Sequence, residues 1–204
     1  MNQPLAYVHP EAKIAQNVVI EPFTSISKDV VIDEGTWIGP NVTIMEGARI
    51  GKNCKIFPGA VISAVPQDLK FQGEYTTVEI GDNSTIRECV TINRGTVDKY
   101  KTVVGKNCLV MAYVHIAHDC IIGDNVILAN SVQLAGHITI ADSVFIGGTT
   151  AVHQFVKIGL IAMIARWVIS KKRCSAFIKA ARESLLGFGG VNFYRLKQEE
   201  RNSQ

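Results

Sequence analysis

Aliphatic residues recur at every sixth position along most of the chain. Between Val8 and Ile164 there are 27 positions in this phase, and 24 of them are Ile, Val or Leu. The three exceptions are Asp68, Glu74 and Asp98. Chance does not produce such regularity, and self-similarity at a fixed period indicates a repeat architecture.

The other positions of the six-residue unit are regular too. A small or β-branched residue stands four positions after the aliphatic one, as at Val18 and Thr24. The residue directly after the aliphatic one is often Gly or Ala, as at Gly39. Side chains alternate between the two faces of a strand, and Gly, Asn and Asp suit tight turns. Each unit therefore predicts a short strand and a turn, with the aliphatic and small residues pointing inward.

Three such units complete a coil of 18 residues. Stacked coils pair as parallel strands about 4.8 Å apart and bury a continuous core. The sequence thus predicts an all-β fold, a parallel β-helix built from hexapeptide units. Helices of this type wind left-handed, against the usual right-handed preference of parallel crossovers; the spacing itself does not show the hand.

Two segments depart from the repeat and predict loops, at about residues 63–79 and 97–103. Loops that leave a rigid scaffold often carry binding groups. We expect the β-helix to span residues 1–169. Residues 170–204 should form a short, truncated and partly helical C-terminal appendage that covers the edge of the last coil.

Composition narrows the possible functions. The net charge of +3 is too small to indicate a nucleic-acid partner. Residues 165–204 are basic while residues 1–164 are mildly acidic, which favours an acidic partner near the tail. The five cysteines show no paired spacing, and Cys54, Cys108 and Cys120 fall at the small inward position, as core residues would. With no signal peptide or membrane span evident, we expect a cytoplasmic protein.

Histidines mark the candidate chemistry. His118 and His137 are 19 residues apart, and His137 and His153 are 16 apart, so all three should lie near one corner of the β-helix on successive coils. His115 shares the coil of His118. Each coil advances by roughly 5 Å.

Three interpretations of these histidines are open from spacing alone. They could be turn residues in polar ladders, zinc ligands from adjacent coils, or a general base with a carboxylate that orients it. Asp119 could orient His118, but neighbouring residues on a strand point opposite ways, so it would have to act from a turn.

Several motifs together resemble one family, over about Ala6 to Ile164. They are Pro66–Lys70, Ile86–Glu88, Thr91–Thr96, His115–Cys120, Leu134–His137, Gly147-Gly148 and Ala151–Phe155. The chain is similar in these segments to the acyl-[acyl-carrier-protein]–UDP-N-acetylglucosamine O-acyltransferases of lipid A biosynthesis. Other hexapeptide proteins share the six-residue repeat but not these insertions.

The resemblance implies a homotrimer with active sites between neighbouring subunits and no metal or other cofactor. The acceptor would be the 3-hydroxyl of UDP-N-acetylglucosamine, and the donor a 3-hydroxyacyl-[acyl-carrier-protein]. By resemblance, His118 is the general base, Asp119 supports it and the Gly136 N–H binds the oxyanion. The residues that would bind the nucleotide sugar and acyl chain are Gln67, Asp68, Lys70, His115, His137, His153, Gln154 and Asn192.

The tail departs from the family pattern. Tyr194 replaces an acidic residue, and Gln198 and Glu199 stand where the family has arginines that meet acyl carrier protein. Arg166 and Trp167 replace small residues on the wall of the acyl pocket. These changes predict a shorter acyl chain or impaired donor binding.

Three alternatives to this function are open from the sequence. A trimeric zinc enzyme of the carbonic anhydrase type is the first, and a non-catalytic, degenerate homologue is the second. The third is the N-acyltransferase that acts later in the same pathway, which carries an additional N-terminal domain.

Overall fold

The computed structural model describes residues 5–164, which form 24 short β-strands in three parallel sheets of eight strands each. Successive strands belong to successive sheets, so each strand pairs with the third strand along the chain. The architecture is a left-handed parallel β-helix; the repeat predicted the parallel β-helix, and the expected hand came from the known architecture of such helices. No helix in this part of the chain is long and apolar enough to cross a membrane.

The strand bounds follow the three sheets. The first sheet contains β1 (Tyr7–Val8), β4 (Ser25–Ile26), β7 (Thr43–Ile44), β10 (Val61–Ala64), β13 (Thr91–Asn93), β16 (His115–Ile116), β19 (Gln133–Leu134) and β22 (Ala151–Val152). The second contains β2 (Lys13–Ile14), β5 (Val31–Ile32), β8 (Ala48–Ile50), β11 (Thr77–Ile80), β14 (Lys101–Val104), β17 (Ile121–Ile122), β20 (Thr139–Ile140) and β23 (Lys157–Ile158). The third contains β3 (Val19–Ile20), β6 (Trp37–Ile38), β9 (Lys55–Ile56), β12 (Thr85–Ile86), β15 (Leu109–Val110), β18 (Ile127–Leu128), β21 (Phe145–Ile146) and β24 (Met163–Ile164).

The core is a column of stacked aliphatic side chains. From Ile20 to Val152 every aliphatic residue of the six-residue phase is buried, and the small inward residues between them are buried as well. Cys54, Cys108 and Cys120 lie among these small residues as free thiols, which confirms their predicted place in the core. Apolar area removed from water in this way contributes about 25 cal/mol per Å², so the column stabilises the whole stack.

Two loops interrupt the coils; the first is shorter than the predicted 63–79, and the second is as long as the predicted 97–103 but begins three residues earlier. The first loop occupies residues 65–76, because β10 continues through a bulge to Ala64 and β11 begins at Thr77. The second loop occupies residues 94–100, because Lys101–Val104 pair with Thr77–Ile80. The three exceptions to the repeat all lie inside these loops.

Both loops leave the β-helix at the same corner, the one between the first and second sheets. They connect β10 to β11 and β13 to β14, and each of these pairs links those two sheets. We call this edge the loop-bearing corner. The predicted domain boundary at residue 169, the partly helical appendage, and the residues Arg166, Trp167, Asn192, Tyr194, Gln198 and Glu199 lie outside the described residues.

Candidate active site

His118 and Asp119 lie at the loop-bearing corner, in the turn between β16 and β17. Asp119 adopts a positive φ of 59°, as do His137 (64°) and Phe155 (64°) one and two coils further on. A positive φ is uncommon for residues other than Gly, but here it recurs from coil to coil and belongs to the architecture. This turn brings the side chains of two neighbouring residues to the same side, which an extended strand would not allow.

The two side chains form a hydrogen-bonded pair. His118 Nδ1 lies 2.8 Å from Asp119 Oδ2. His118 is only 5% exposed and Asp119 is fully buried. A carboxylate only accepts hydrogen bonds, so Nδ1 must carry the proton and Nε2 is left as the proton acceptor. The predicted carboxylate partner of His118 therefore acts from a turn, as that prediction required.

The second loop holds Asp119 in place. Its Oδ1 accepts hydrogen bonds from the backbone N–H groups of Thr96 (3.0 Å) and Lys99 (3.1 Å), and its Oδ2 accepts one from the Thr96 hydroxyl (2.6 Å). The Asp119 N–H donates to the Thr102 hydroxyl (2.9 Å), and its carbonyl accepts from Lys99 Nζ (2.8 Å). With His118 included, the carboxylate accepts four hydrogen bonds, which fills its capacity.

These hydrogen bonds keep Asp119 ionised. Burial alone would raise the pKa of the Asp119 carboxyl, but hydrogen bonds from His118, Thr96 and Lys99 outweigh it and hold the pKa far below its usual range. Because the folded-state pKa is depressed, the carboxylate contributes stability above its unfolded pKa of about 3.9. That contribution is lost as the pH falls through the folded pKa.

We expect Asp119→Asn to lower the free energy of unfolding by about 1–3 kcal/mol at pH 7, since a fully buried acceptor is replaced by a group that also donates. The amide would also present N–H to His118 Nδ1 and force the proton onto Nε2, which should reduce catalysis about 10⁴-fold, as a wrong histidine tautomer does elsewhere. Denaturant unfolding at pH 7 and pH 3 measures the first effect, and the difference between the variant and the unmutated chain should shrink at pH 3.

Asp33→Asn is the matched control, because Asp33 is an exposed turn residue. An Asp119→Asn variant with unchanged stability at pH 7 would show that the carboxylate does not hold the corner together.

Gly136 lies directly beneath the His118 ring. A Cβ atom placed on Gly136 would come within 2.7 Å of His118 Cε1 and 2.8 Å of Nε2, closer than real contacts allow. Within residues 5–164, the Gly136 N–H donates to no protein acceptor. An N–H donor without a protein partner, on a residue that closely approaches the basic nitrogen, is what an oxyanion site requires.

His115 sits on β16 beside this pair, and its Nδ1 lies 2.7 Å from the Thr91 hydroxyl of the preceding coil. Burial, and to a lesser extent the neighbouring charge of His118, lowers the pKa of His115. A lowered pKa favours the neutral imidazole near neutral pH. His115 can therefore take part in polar contacts without adding positive charge to the site.

His137 lies one coil further on, as its spacing from His118 predicted. The two rings meet edge to face with centroids 5.0 Å apart. His137 Nδ1 lies 2.9 Å from Asp98 Oδ2 of the second loop. Phe155 stacks on a face of His137, with centroids 4.5 Å apart and an interplanar angle of 5°.

His153 and Gln154 also lie at the loop-bearing corner, in the exposed turn after β22. His153 does not continue the ring stack, because the residue one coil after His137 is Phe155. Its Nδ1 lies 3.3 Å from the Gln154 carbonyl instead. The structure thus brings His118 and His137 together and places His153 on the same edge, two residues before the stacked ring.

The first loop carries Gln67, Asp68 and Lys70. Gln67 and Lys70 are exposed, and Asp68 Oδ1 accepts a hydrogen bond from the Lys70 N–H (2.9 Å). The loop is fastened to the coils through Arg49, which bonds the Tyr75 hydroxyl (2.7 Å). In residues 5–164, no hydrogen bond or ion pair joins this loop to the histidines, which start two coils further along the first sheet.

The cysteine nearest the site is not a nucleophile. Burial raises the pKa of the Cys120 thiol to about 12, and its Sγ donates to the Ala135 carbonyl (3.2 Å). The reactive form of cysteine is the thiolate. Cys120 is therefore a core residue in the coil that carries His118 and Asp119.

His118, Asp119 and His137 also satisfy the simplest geometric condition for a metal site, since one ligand atom of each lies within 4.8 Å of the others. The hydrogen bonds oppose this use. Asp119 already accepts four hydrogen bonds, and His137 Nδ1 pairs with Asp98. A zinc ligand must offer a free lone pair, and the Asp119 carboxylate has none left.

Sequence reasoning missed four residues of this corner, namely Thr96, Asp98, Lys99 and Phe155. A signal existed for one of them, because Asp98 breaks the six-residue repeat just before the basic run of the second loop. Two of the four hydrogen bonds that Thr96 and Lys99 donate to Asp119 come from backbone N–H groups, which spacing does not reveal.

Comparison with known proteins identifies the family. The bacterial transferase hexapeptide (six repeats) model matches residues 29–64 and 101–136. The acyl-[acyl-carrier-protein]–UDP-N-acetylglucosamine O-acyltransferase of Herminiimonas arsenicoxydans is 44% identical over 144 residues, which are 70% of this chain and 55% of that protein. The UDP-N-acetylglucosamine acyltransferase of Bacteroides fragilis is 38% identical with a TM-score of 0.69, and the match covers 100% of this chain and 91% of that one. This chain belongs to the UDP-N-acetylglucosamine acyltransferase family.

A second UDP-N-acetylglucosamine acyltransferase structure, from Francisella novicida, superposes with a TM-score of 0.81 and 46% identity, over 82% of this chain and 62% of that one. The family resemblance inferred from the motifs is confirmed. The chain spans about half or less of the curated acyltransferases it matches, from 23% of the Chlorobaculum tepidum protein to 55% of the Herminiimonas one.

Proposed function

We propose that this chain transfers a 3-hydroxyacyl group from acyl carrier protein to the 3-hydroxyl of UDP-N-acetylglucosamine, the first step of lipid A biosynthesis. The observation that carries the proposal is the buried His118–Asp119 pair, whose free Nε2 faces the unsubstituted Cα of Gly136. A general base and an N–H donor side by side suit acyl transfer to a hydroxyl.

In the first step, His118 Nε2 takes the proton of the sugar hydroxyl as its oxygen bonds to the thioester carbon. The resulting imidazolium is stabilised by the Asp119 carboxylate, with Nδ1–H donating to Oδ2. The tetrahedral intermediate then collapses with cleavage of the carbon–sulfur bond. His118 returns its proton to the departing thiolate, so the base is regenerated and the carrier protein leaves as a free thiol.

The negative charge on the carbonyl oxygen would be held by the Gly136 N–H. Such a donor contributes about 10²–10³-fold to the rate in other acyl-transfer enzymes. The N–H needs no reorganisation, because no protein acceptor in residues 5–164 competes for it.

Substrate binding extends along the loop-bearing corner and between subunits. We assign His115, His137, His153 and Gln154 to the sugar nucleotide and acyl chain on one subunit, with Asn192 as a further nucleotide contact. In residues 5–164, Gln67, Asp68 and Lys70 make no hydrogen bond or ion pair with His118 of their own chain, whose turn lies two coils further along the stack, at about 4.8 Å per coil. A homotrimer in which the first loop of one subunit faces the histidines of the next would unite the two groups.

A reducing compartment, the cytoplasm, suits the chain. Cys54, Cys89, Cys108 and Cys120 are all free thiols, and Cys89 is exposed. Disulfides are rare where glutathione and thioredoxin keep thiols reduced.

The direct experiment incubates the purified chain with UDP-N-acetylglucosamine and 3-hydroxyacyl-[acyl-carrier-protein] donors of graded chain length. We expect an acylated nucleotide sugar by mass spectrometry, with short donors preferred because Arg166 and Trp167 replace small residues. Production of no acylated sugar from any donor by a folded, trimeric protein would overturn the proposal and favour a degenerate homologue. Stoichiometric zinc in that protein, with hydration of carbon dioxide, would favour the zinc enzyme instead.

A further inference from the structure

The His137 ring is held on three sides. Asp98 Oδ2 lies 2.9 Å from its Nδ1, Phe155 stacks parallel to one face, and the edge contact with His118 closes a third side. The His137 side chain is 15% exposed, whereas that of Asp98 is 55% exposed. A solvent-facing carboxylate of the second loop thus reaches inward to a mostly buried imidazole.

Asp98 determines which nitrogen of His137 carries the proton. The carboxylate only accepts, so Nδ1 must donate and Nε2 becomes a bare acceptor. The same logic applies to His118 and Asp119. The two neighbouring histidines therefore share one tautomer, and each depends on its own aspartate.

A second carboxylate competes for the same proton. Asp119 Oδ2 lies 3.9 Å from His137 Nδ1, just beyond hydrogen-bonding distance. That oxygen already accepts from the Thr96 hydroxyl and from His118. If His137 turned toward it, the hydrogen bond that orients the catalytic base would weaken.

We propose that Asp98 is a positioning residue: it holds His137 as the Nδ1–H tautomer and keeps it away from Asp119, so that His118 alone uses that carboxylate. His137 Nε2 is then free to accept a hydrogen bond from a hydroxyl or amide N–H of the acceptor substrate. The kinetic part of this inference rests on the proposed acyltransferase function, whereas the tautomer part does not.

Asp98→Ala and Asp98→Asn test the inference on the full chain labelled with ¹⁵N-histidine. Long-range ¹⁵N–¹H spectra report the protonated ring nitrogen of each histidine, and a His137→Gln spectrum assigns the His137 signals. We expect Nδ1–H for His137 in the unmutated chain, a mixture of tautomers in Asp98→Ala, and an intermediate result in Asp98→Asn, whose carbonyl can still accept. Asp33→Asn should leave all five histidines unchanged.

Steady-state kinetics give the second readout. Loss of a hydrogen bond to a charged, partly exposed partner should raise KM for the acceptor sugar about 10-fold in Asp98→Ala, with a smaller change in kcat. A His137 spectrum unaffected by Asp98→Ala would overturn the positioning role, whatever the activity. A shifted tautomer with an unchanged KM would overturn the substrate contact. A shifted tautomer in a chain that transfers no acyl group would uphold the positioning role and refute the proposed function.

Discussion

His118→Ala should lower acyl transfer by about 10³-fold, within the range that a general base contributes, and leave the β-helix folded. The imidazole is buried at a corner of the stack rather than inside the aliphatic column, so its removal opens no gap among the inward residues. The Gly136 N–H stays in place and accounts for the residual rate.

His9→Ala is the matched control for this variant, since His9 occupies the turn between β1 and β2 at the same corner. Its only side-chain hydrogen bond in the described part of the chain is to the Glu11 N–H, at 3.2 Å. Initial rates and thermal unfolding should be measured for both. A His118→Ala protein that keeps more than a tenth of the activity would remove His118 from the mechanism.

Gly136→Ala should reduce kcat by about 100-fold, because misplacing a catalytic group by about 1 Å has this effect. The added methyl group would approach His118 Cε1 and Nε2 to less than 3 Å, and the imidazole is what must shift. No positive φ is recorded at Gly136, so the backbone tolerates alanine and the effect is steric. Single-turnover rates measure the loss.

Gly159→Ala provides the comparison, because a Cβ atom there meets nothing within 4 Å. The double variant His118→Ala with Gly136→Ala adds a sharper test. If alanine at position 136 acts by displacing the imidazole, it should cost little once the imidazole is gone, and the two losses should not add. Fully additive losses would mean that Gly136 acts independently of His118.

The fold was predictable because one rule determines it. An inward aliphatic residue at every sixth position, with three such units in each coil, defines the three faces. The same spacing also identifies which residues are buried. The presence of both loops was predictable, but the first proved shorter than predicted and the second began three residues earlier. Asp68, Glu74 and Asp98 interrupt the repeat, yet strand pairing continues past the point where polar residues begin, as at Thr77–Glu79, because backbone hydrogen bonds do not depend on side-chain polarity.

The site was less accessible to sequence reasoning. Spacing correctly placed His118 next to His137, since their separation of 19 residues is one coil of 18 plus one residue. Spacing did not show that Phe155, rather than His153, stacks on His137. Phe155 is 18 residues after His137, which is one full coil, whereas His153 is 16 residues after it and so lies two residues earlier in the turn. The motif resemblance singled out His118, but three of the four hydrogen bonds that saturate Asp119 depend on how the second loop folds back.

Because the second loop anchors Asp119, the stability of the β-helix and the integrity of the His118–Asp119 pair depend on different parts of the chain. The 24 strands hold one another through the aliphatic column, whereas residues 94–100 add to the pairing of the sheets only backbone hydrogen bonds to Ala64 and Thr77, at the ends of β10 and β11. The catalytic carboxylate relies on that same short stretch of backbone. Cleavage of the backbone within this loop would leave the β-helix folded but would remove the hydrogen bonds that hold Asp119 against His118. An unchanged circular dichroism spectrum would therefore show that the scaffold is intact without showing that the protein is active.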